Sequence, residues 1–158
     1  EAKCILLGAY VYGSEEAFKK AVHGAGMEAH IDFLGEVPFE EVPAHIAVSK
    51  IGLILFQPIG LGHTLGMPHK LFDYMREGIP VIAPAFCVEI KRIIEEADCG
   101  VLVEEITSGD AIAEAILGLL QDPEEAQRLG ENGRKAVETT YNWQKEEEKL
   151  LAVFDSLA

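Results

Sequence analysis

The chain has 158 residues, 49% of them hydrophobic and 25% charged, with 27 acidic and 13 basic side chains and a formal net charge of −14. This composition excludes a disordered chain, and no apolar run approaches the roughly 18 residues of a membrane span, so one folded domain with one core is expected. The acidic excess repels nucleic-acid phosphates and anionic membrane surfaces, so nucleic acid is not expected as a partner.

The first strand and helix are predicted near the start of the chain. The apolar segment 3–8 predicts a buried strand that ends at Gly8. Ser14, followed by two glutamates, predicts the capped start of a helix that runs to about Gly24.

A second strand and a broken helix follow. Residues 31–34 predict a short strand that Gly35 closes. The segment 38–49 predicts a helix of modest quality, because Pro43 lies inside it and forces a break or a pair of short helices.

The centre of the chain carries its clearest unit. The apolar run 51–56 predicts a buried parallel strand, and the four Gly or Pro residues of segment 57–67 predict a loop. Pro68 suits the first turn of a helix over 69–77, and a short strand follows at 79–83. Strand, loop, helix and strand form a βαβ unit, in which ligands are expected at the loop, beyond the carboxyl ends of the strands.

The last third of the chain predicts a fifth strand at 100–103 and several amphipathic helices. These helices are expected over 88–97, over 110–120, from 123 onward with interruptions at Gly130 and Gly133, and over 143–157. The inward side chains of the second are predicted to be Ile112, Ile116, Leu117 and Leu120, and those of the last Leu150, Leu151, Phe154 and Leu157. The predicted fold class is therefore α/β, a doubly wound open parallel sheet of about five strands with helices on both faces.

The strings KLFDYM at 70–75 and GIPVIA at 78–83 resemble the K-L-F-E-Y-M-x-x-G-x-P-V-I-A signature of nucleotide-sugar-dependent glycosyltransferases of the GT-B type, in the large retaining group 1 family. The tail over 121–143 is also similar to that family, so the resemblance covers nearly the whole chain in order. It implies a Rossmann-like, C-terminal donor-binding domain at 1–158, a nucleotide-diphosphate sugar as donor, and an acceptor that is a glycan or lipid-linked.

The resemblance also implies where the nucleoside binds. In the family the acidic residue of the signature hydrogen-bonds the donor ribose, and this role falls to Asp73. The family's F-L-G turn lies against the base, which implies main-chain contacts at Gly35, Glu36 and Val37. Without the family match, this turn is simply a tight connection that needs glycine.

The diphosphate is expected at the start of the 69–77 helix, over Gly66, Met67 and Lys70. Lys70 opposes the helix dipole there, and an anionic ligand would supply the reason for its position. His63 is equally consistent with a donor contact and with a solvated loop histidine.

Two departures from the family pattern bear on mechanism. Many relatives carry Glu eight residues before the ribose-binding acid, where this chain has Leu65, so recognition of the sugar by that carboxylate cannot be carried over. The chain also begins with what looks like the family's second strand. The family's first strand, its G-R and K-G segments and the acceptor-binding N-terminal domain are therefore expected upstream, and this chain alone is expected to be inactive.

Two other function classes stay open: a sugar-nucleotide epimerase or hydrolase of the same architecture, and a non-catalytic ligand-binding domain. A nicotinamide dehydrogenase is disfavoured, since no G-x-G-x-x-G follows a strand. No cofactor or metal is expected, because Cys4, Cys87 and Cys99 lack a C-x-x-C spacing and are predicted to be reduced, buried and inert. The resemblance implies a cytoplasmic protein, with the inner membrane face as an alternative location through the missing domain.

Overall fold

A computed structural model describes residues 2–10 and 13–157, which group into two compact units, one up to Val42 and one from Pro43. The described strands are parallel to their neighbours, two in the first unit and three in the second. The predicted α/β class with five parallel strands is confirmed, although the strands belong to two sheets rather than to one. No helix formed by the described residues is long and apolar enough to cross a membrane.

The first unit is a small parallel βαβ structure. Strands β1 (Cys4–Leu7) and β2 (Ile31–Gly35) pair, and helix α1 (Glu15–Gly24) connects them. As predicted, the Ser14 side chain caps α1 by accepting a hydrogen bond from the main-chain N–H of Ala17. The predicted burial of the first strand is wrong, because two strands and one helix bury little surface, and Ile5 and Leu6 remain 39% and 37% exposed.

The helix expected over 38–49 is divided, as the proline in it predicted. A 3₁₀ turn at Phe39–Glu41 is followed by the short helix α2 (Val42–Ala47), in which Pro43 occupies the second position. Proline is tolerated there because the first helical N–H groups have no partner within the helix.

The second unit is built on a sheet in the order β3-β4-β5, which comprises Gly52–Leu53, Val81–Pro84 and Gly100–Val103. Strand β3 is shorter than the predicted 51–56. The ladder continues as far as the N–H of Ile54, which donates to the Ile82 carbonyl at 2.9 Å. In this register the next donor to β3 would be the nitrogen of Pro84, which carries no hydrogen, so the pairing stops.

Six helices in the described part of the chain follow or flank these strands. They are α3 (Leu61–Leu65), α4 (His69–Glu77), α5 (Val88–Ala97), α6 (Gly109–Gln121), α7 (Pro123–Thr139) and α8 (Trp143–Asp155). Helix α3 lies in the segment 57–67 that was predicted to be only a loop. A helix of five residues shows too little periodicity to be recognised among glycines.

Side chains of β4 alternate between two apolar layers, so helices cover both faces of the sheet, as predicted. Val81 and Ala83 face one layer and Ile82 faces the other. The first layer adds residues from α4 and α5, namely Leu71, Met75, Ile90, Ile93 and Ile94. The second adds Val103, Ile106, Leu119 and Leu129.

Helix α7 runs without the interruption predicted at its two glycines. A Cβ on Gly130 would lie 2.1 Å from the Gly78 carbonyl oxygen, so glycine here lets α7 approach the end of α4. The Arg134 guanidinium then donates to the carbonyls of Arg76 and Glu77, at 3.2 and 2.7 Å. These bonds satisfy carbonyls at the C-terminus of α4, where a cation is also favoured by the helix dipole.

Two predicted inward faces need correction. The four side chains predicted to face inward from the last helix are 48–78% exposed, and the fourth of them lies beyond its observed end: Leu150, Leu151, Phe154 and Leu157. Periodicity identifies an amphipathic face, but it does not supply an element to cover it. In α6, Leu117 is 53% exposed and Leu119 is buried instead, because the covered face follows 112, 115 and 119.

Candidate functional site

The eight residues predicted to bind the donor are divided between the units. Gly35, Glu36 and Val37 belong to the first unit, whereas His63, Gly66, Met67, Lys70 and Asp73 belong to the second. The two groups are therefore described separately.

In the first unit, the predicted residues lie where β1 and β2 end. Gly35 has a φ of +68° and its carbonyl accepts a hydrogen bond of 2.7 Å from the Gly8 N–H. This left-handed conformation favours glycine, so the structure explains why the predicted turn has glycine at this position. Glu36 and Val37 line a concavity of about 470 Å³, together with Leu7, Gly8, Ala9 and Val42.

In the second unit, the start of α4 is open to a ligand. Pro68 occupies the N-cap rather than the first turn, no side chain caps the helix, and its first turn contains no acidic residue. By contrast, α1, α6, α7 and α8 are each capped by a side chain, those of Ser14, Ser108, Asp122 and Asn142. The first N–H groups of α4 therefore have no side-chain acceptor among residues 2–10 and 13–157, an arrangement that favours an anion.

Lys70 lies in this first turn and forms no ion pair with any residue that the structure describes. The residue as a whole is exposed, but its ammonium lies 5.9 Å from the centre of the Phe56 ring. Partial desolvation lowers the pKa of Lys70 below its ordinary value. A cation that has lost some of its hydration and has no counter-ion gains more than a solvated one from a bound anion.

His63 packs against the same phenylalanine as Lys70. Its ring centre lies 5.1 Å from that of Phe56, so one aromatic residue contacts both His63 and Lys70. The His63 Nδ1 atom is buried and has no hydrogen-bond partner among the described residues. The His63 carbonyl accepts a 2.9 Å hydrogen bond from the Cys87 thiol, which ties α3 to α5.

The segment between α3 and α4 contains the two remaining predicted contacts. Gly66 ends α3, and a Cβ there would lie 2.2 Å from the Gly62 carbonyl oxygen, so no larger residue fits. Met67 is 50% exposed and precedes the N-cap of α4. Both residues are available to a ligand at the start of the helix.

Asp73 is the fifth residue of α4, and its side chain is 23% exposed. The guanidinium of Arg76, three residues later, donates to Asp73 Oδ1 at 3.2 Å. Arg76 was not among the residues predicted from the sequence, although its i,i+3 spacing from Asp73 on a helix was the available signal.

The predicted burial of the cysteines is confirmed for two of the three. All three cysteines are free, and Cys87 and Cys99 are buried as predicted, whereas Cys4 is only half-buried. Burial raises the pKa of Cys99 to about 11, and the neighbouring Asp98 carboxylate contributes to the rise. No group of three His, Cys, Asp or Glu side chains within residues 2–10 and 13–157 is arranged to hold a metal ion.

Comparison with curated proteins finds relatives that are longer than this chain. Spore coat protein SA of Bacillus subtilis is 25% identical over an alignment of 158 positions. The alignment covers 96% of this chain and 40% of that protein. The GDP-mannose-dependent alpha-(1-6)-phosphatidylinositol monomannoside mannosyltransferase of Mycobacterium tuberculosis is 28% identical over 129 residues, 81% of this chain and 33% of that protein. The chain thus spans between a third and two fifths of the length of these relatives.

Solved structures share the fold. The crystal structure of Anabaena HepE in complex with UDP matches with a TM-score of 0.78 at 17% identity, over 98% of this chain and 41% of that one. The sucrose-phosphate synthase of Thermosynechococcus elongatus matches with a TM-score of 0.75 at 23% identity, over 97% of this chain and 38% of that one.

The family described as "Glycosyl transferases group 1" matches residues 1–136, which include β1 to β5 and both strings of the predicted signature. The match therefore rests on the whole sheet-forming part of the chain as well as on α4. The chain belongs to the glycosyl transferases group 1 family and has the fold of a GT-B type C-terminal domain.

Proposed function

We propose that this chain supplies the donor-binding part of a glycosyltransferase that transfers a sugar from a nucleoside-diphosphate sugar to a glycan or lipid-linked acceptor. Family membership supports this reaction class. One relative is named as GDP-mannose-dependent, and one structural neighbour was crystallised with UDP. A nucleoside diphosphate is common to both names, so the proposal commits to that ligand class and not to a base or a sugar.

The observation that carries the proposal is the open N-terminus of α4. Its first N–H groups have no side-chain cap, and Lys70 adds a partly desolvated cation without a counter-ion among the described residues. No Asp or Glu occurs between Lys50 and Asp73, although the chain carries 27 acidic residues. A diphosphate placed here meets N–H donors and one ammonium, and no carboxylate precedes Asp73 in the same segment.

These groups also suit the chemistry of transfer. When the bond between the sugar and the diphosphate breaks, the electron pair leaves with the diphosphate and its negative charge increases. Donors that are already fixed in place stabilise such developing charge without reorganising, and losing one contact of this kind typically costs about 3 kcal/mol of barrier. We assign this role to the start of α4 and to Lys70.

The nucleoside contacts are proposed within each unit. In the second unit, Asp73 accepts hydrogen bonds from the ribose, and His63, Gly66 and Met67 contact the diphosphate or the sugar. In the first unit, the main chain of Gly35, Glu36 and Val37 contacts the base. The concavity at the ends of β1 and β2 supports this second assignment, because it leaves room beside those residues.

The test is Asp73→Ala in the full-length protein, with affinities for uridine and guanosine diphosphates measured by calorimetry. Losing a charged acceptor is expected to cost about 1 to 3 kcal/mol, or roughly a 5- to 150-fold higher Kd. Asp110→Ala is the matched control, because Asp110 is an exposed acid in the first turn of α6 and binding should not change.

Unchanged affinity in the Asp73 variant would exclude the ribose role. If the wild-type protein bound neither diphosphate, the ligand class itself would be wrong.

A further inference from the structure

Arg76 is held in place from several directions. Its terminal nitrogen donates to Asp73 Oδ1 at 3.2 Å, and its Nε donates to Glu77 Oε1 at 3.4 Å. Its own carbonyl accepts a 3.2 Å hydrogen bond from Arg134 on α7. The guanidinium therefore lies between two carboxylates on a helix end that a second helix fixes.

The two carboxylates are less exposed than the arginine that binds them. The side chains of Asp73 and Glu77 are 23% and 21% exposed, whereas that of Arg76 is 54% exposed. The Asp73 carboxylate thus has a covered environment in which one oxygen is bound by Arg76. The other oxygen, Oδ2, has no partner in the part of the chain that the structure describes, so it remains able to accept a hydrogen bond.

A carboxylate near a diphosphate raises an electrostatic difficulty. Asp73 lies on the same short helix whose start is open to an anion. A carboxylate and a diphosphate on one short helix repel each other when their charges are poorly screened. A guanidinium bound to the carboxylate offsets its charge and, being planar, also fixes its orientation. The neighbouring Glu77 adds a further negative charge, which the same guanidinium offsets.

We propose that Arg76 is a positioning residue of the donor site: it occupies one oxygen of Asp73, leaves the other free for the ribose and offsets the carboxylate charge toward the anionic donor. This inference rests on the proposed function, because it needs Asp73 as the ribose acceptor. Arg76 itself does not touch the donor, so its effect on binding passes through Asp73.

The chain offers a matched control for an arginine of this kind. Arg92 on α5 binds Glu89 at 3.0 Å with the same i,i+3 spacing and also binds Glu96 at 2.7 Å, so, like Arg76, it has two carboxylate partners, and its side chain is 45% exposed. Arg92→Ala removes comparable helical ion pairs on a different helix. Both arginine variants should therefore change the unfolding midpoint by similarly small amounts.

The experiment is a double-mutant cycle in the full-length protein, with the Kd for uridine and guanosine diphosphates as the readout. We expect Arg76→Ala to raise the Kd about 3- to 10-fold and Arg76→Lys to restore part of the loss, because lysine keeps the charge but not the planar fork. In an Asp73→Ala background, Arg76→Ala should change the Kd no further, and Arg92→Ala should leave it unchanged.

The outcomes separate this inference from the function on which it rests. If Asp73→Ala weakens binding and Arg76→Ala does not, the positioning role is wrong and the proposed function stands. If Arg76→Ala weakens binding equally in both backgrounds, Arg76 contacts the donor directly and the inference is also wrong. If Asp73→Ala has no effect, the ribose assignment fails first, and the role of Arg76 fails with it.

Discussion

Gly130→Ala tests the packing that positions α4. An added Cβ would lie 2.1 Å from the Gly78 carbonyl oxygen, 2.8 Å from its carbon and 3.3 Å from Ile79 Cα. The first distance is more than 1 Å short of the 3.4 Å at which ordinary contact begins. All three atoms belong to the main chain, so no side-chain rotation relieves the contact and α7 must move away.

Two effects of opposite sign set the magnitude. Alanine in a helix interior is favoured over glycine by about 1 kcal/mol, whereas inserting a methyl group into a packed interface typically costs about 1 to 3 kcal/mol. We take the upper end of that cost, because the displacement also pulls Arg134 from the two carbonyls at the end of α4. The expected net loss of stability is therefore about 2 kcal/mol.

Gly118→Ala is the matched control, because Gly118 lies inside α6 and a Cβ there would meet nothing within 4 Å. This variant should gain about 0.5 to 1 kcal/mol from helix propensity alone. Urea unfolding followed by far-UV circular dichroism should place the two variants on opposite sides of the wild type. Equal stability of the two would refute the close approach of α7 to the end of α4.

Three further predictions concern titratable side chains. Lys70→Met should weaken calorimetric binding of uridine diphosphate, because it removes the ammonium at the open start of α4; a variant that binds as well as the wild type would exclude its phosphate role. In a Cys4→Ser, Cys87→Ser variant, the Cys99 thiol, with its pKa raised to about 11, should resist Ellman's reagent at pH 8 in the folded protein and react in urea, and fast labelling of the native form would contradict its burial. Hydrogen bonds from Arg128 lower the pKa of Asp98 and of Glu125 in the folded protein. The ionised carboxylates therefore stabilise the fold at pH values above their ordinary pKa, which is near 4. This stabilisation is lost as the pH falls through the lowered pKa values of the folded state. Arg128→Ala should therefore lose less stability than the wild type between pH 5 and pH 3, and parallel pH profiles would show that the ion pairs do not contribute.

The bounds of helices α4 and α5 were predicted to the residue. The observed bounds of α4 and α5 match the predicted ranges 69–77 and 88–97. For α4 the reason lies in Pro68 before the first turn and in Gly78, whose φ of +70° ends the helix. For α5 the repeat of apolar residues was sufficient, since Ile90, Ile93 and Ile94 are all buried.

Features that depend on a partner element could not be predicted. The length of β3 is limited by Pro84, a residue about 30 positions away that the apolar run 51–56 does not reveal. Similarly, Gly130 has the sequence signature of a helix break, but its role depends on the carbonyl of Gly78. A single sequence shows neither contact, because both arise from tertiary packing.

The candidate site was predicted in the same uneven way. Asp73 came from the family signature, and Lys70 came from its unfavourable position in the first turn of a helix. The contacts that adjust these groups, Phe56 beside Lys70 and Arg76 beside Asp73, appear only in the structure. The environment of a side chain depends on the three-dimensional structure. A sequence therefore reveals which side chains can bind a ligand more readily than it reveals the neighbours that change their charge or orientation.

The net charge of −14 affects the binding of a large polyanion more strongly than it affects the binding of a small anion at the start of α4. At physiological ionic strength the field of a solvated charge falls off over about 8 Å, so distant carboxylates contribute little at the start of this helix. What matters there is the local charge: the segment between Lys50 and Asp73 contains no acid, and Arg76 binds the Asp73 carboxylate itself. A polyanion that covers a large surface still meets many carboxylates, whereas a diphosphate needs only one cation and a few N–H groups. The same acidic chain can therefore disfavour nucleic acid and still offer a place for a small anionic donor.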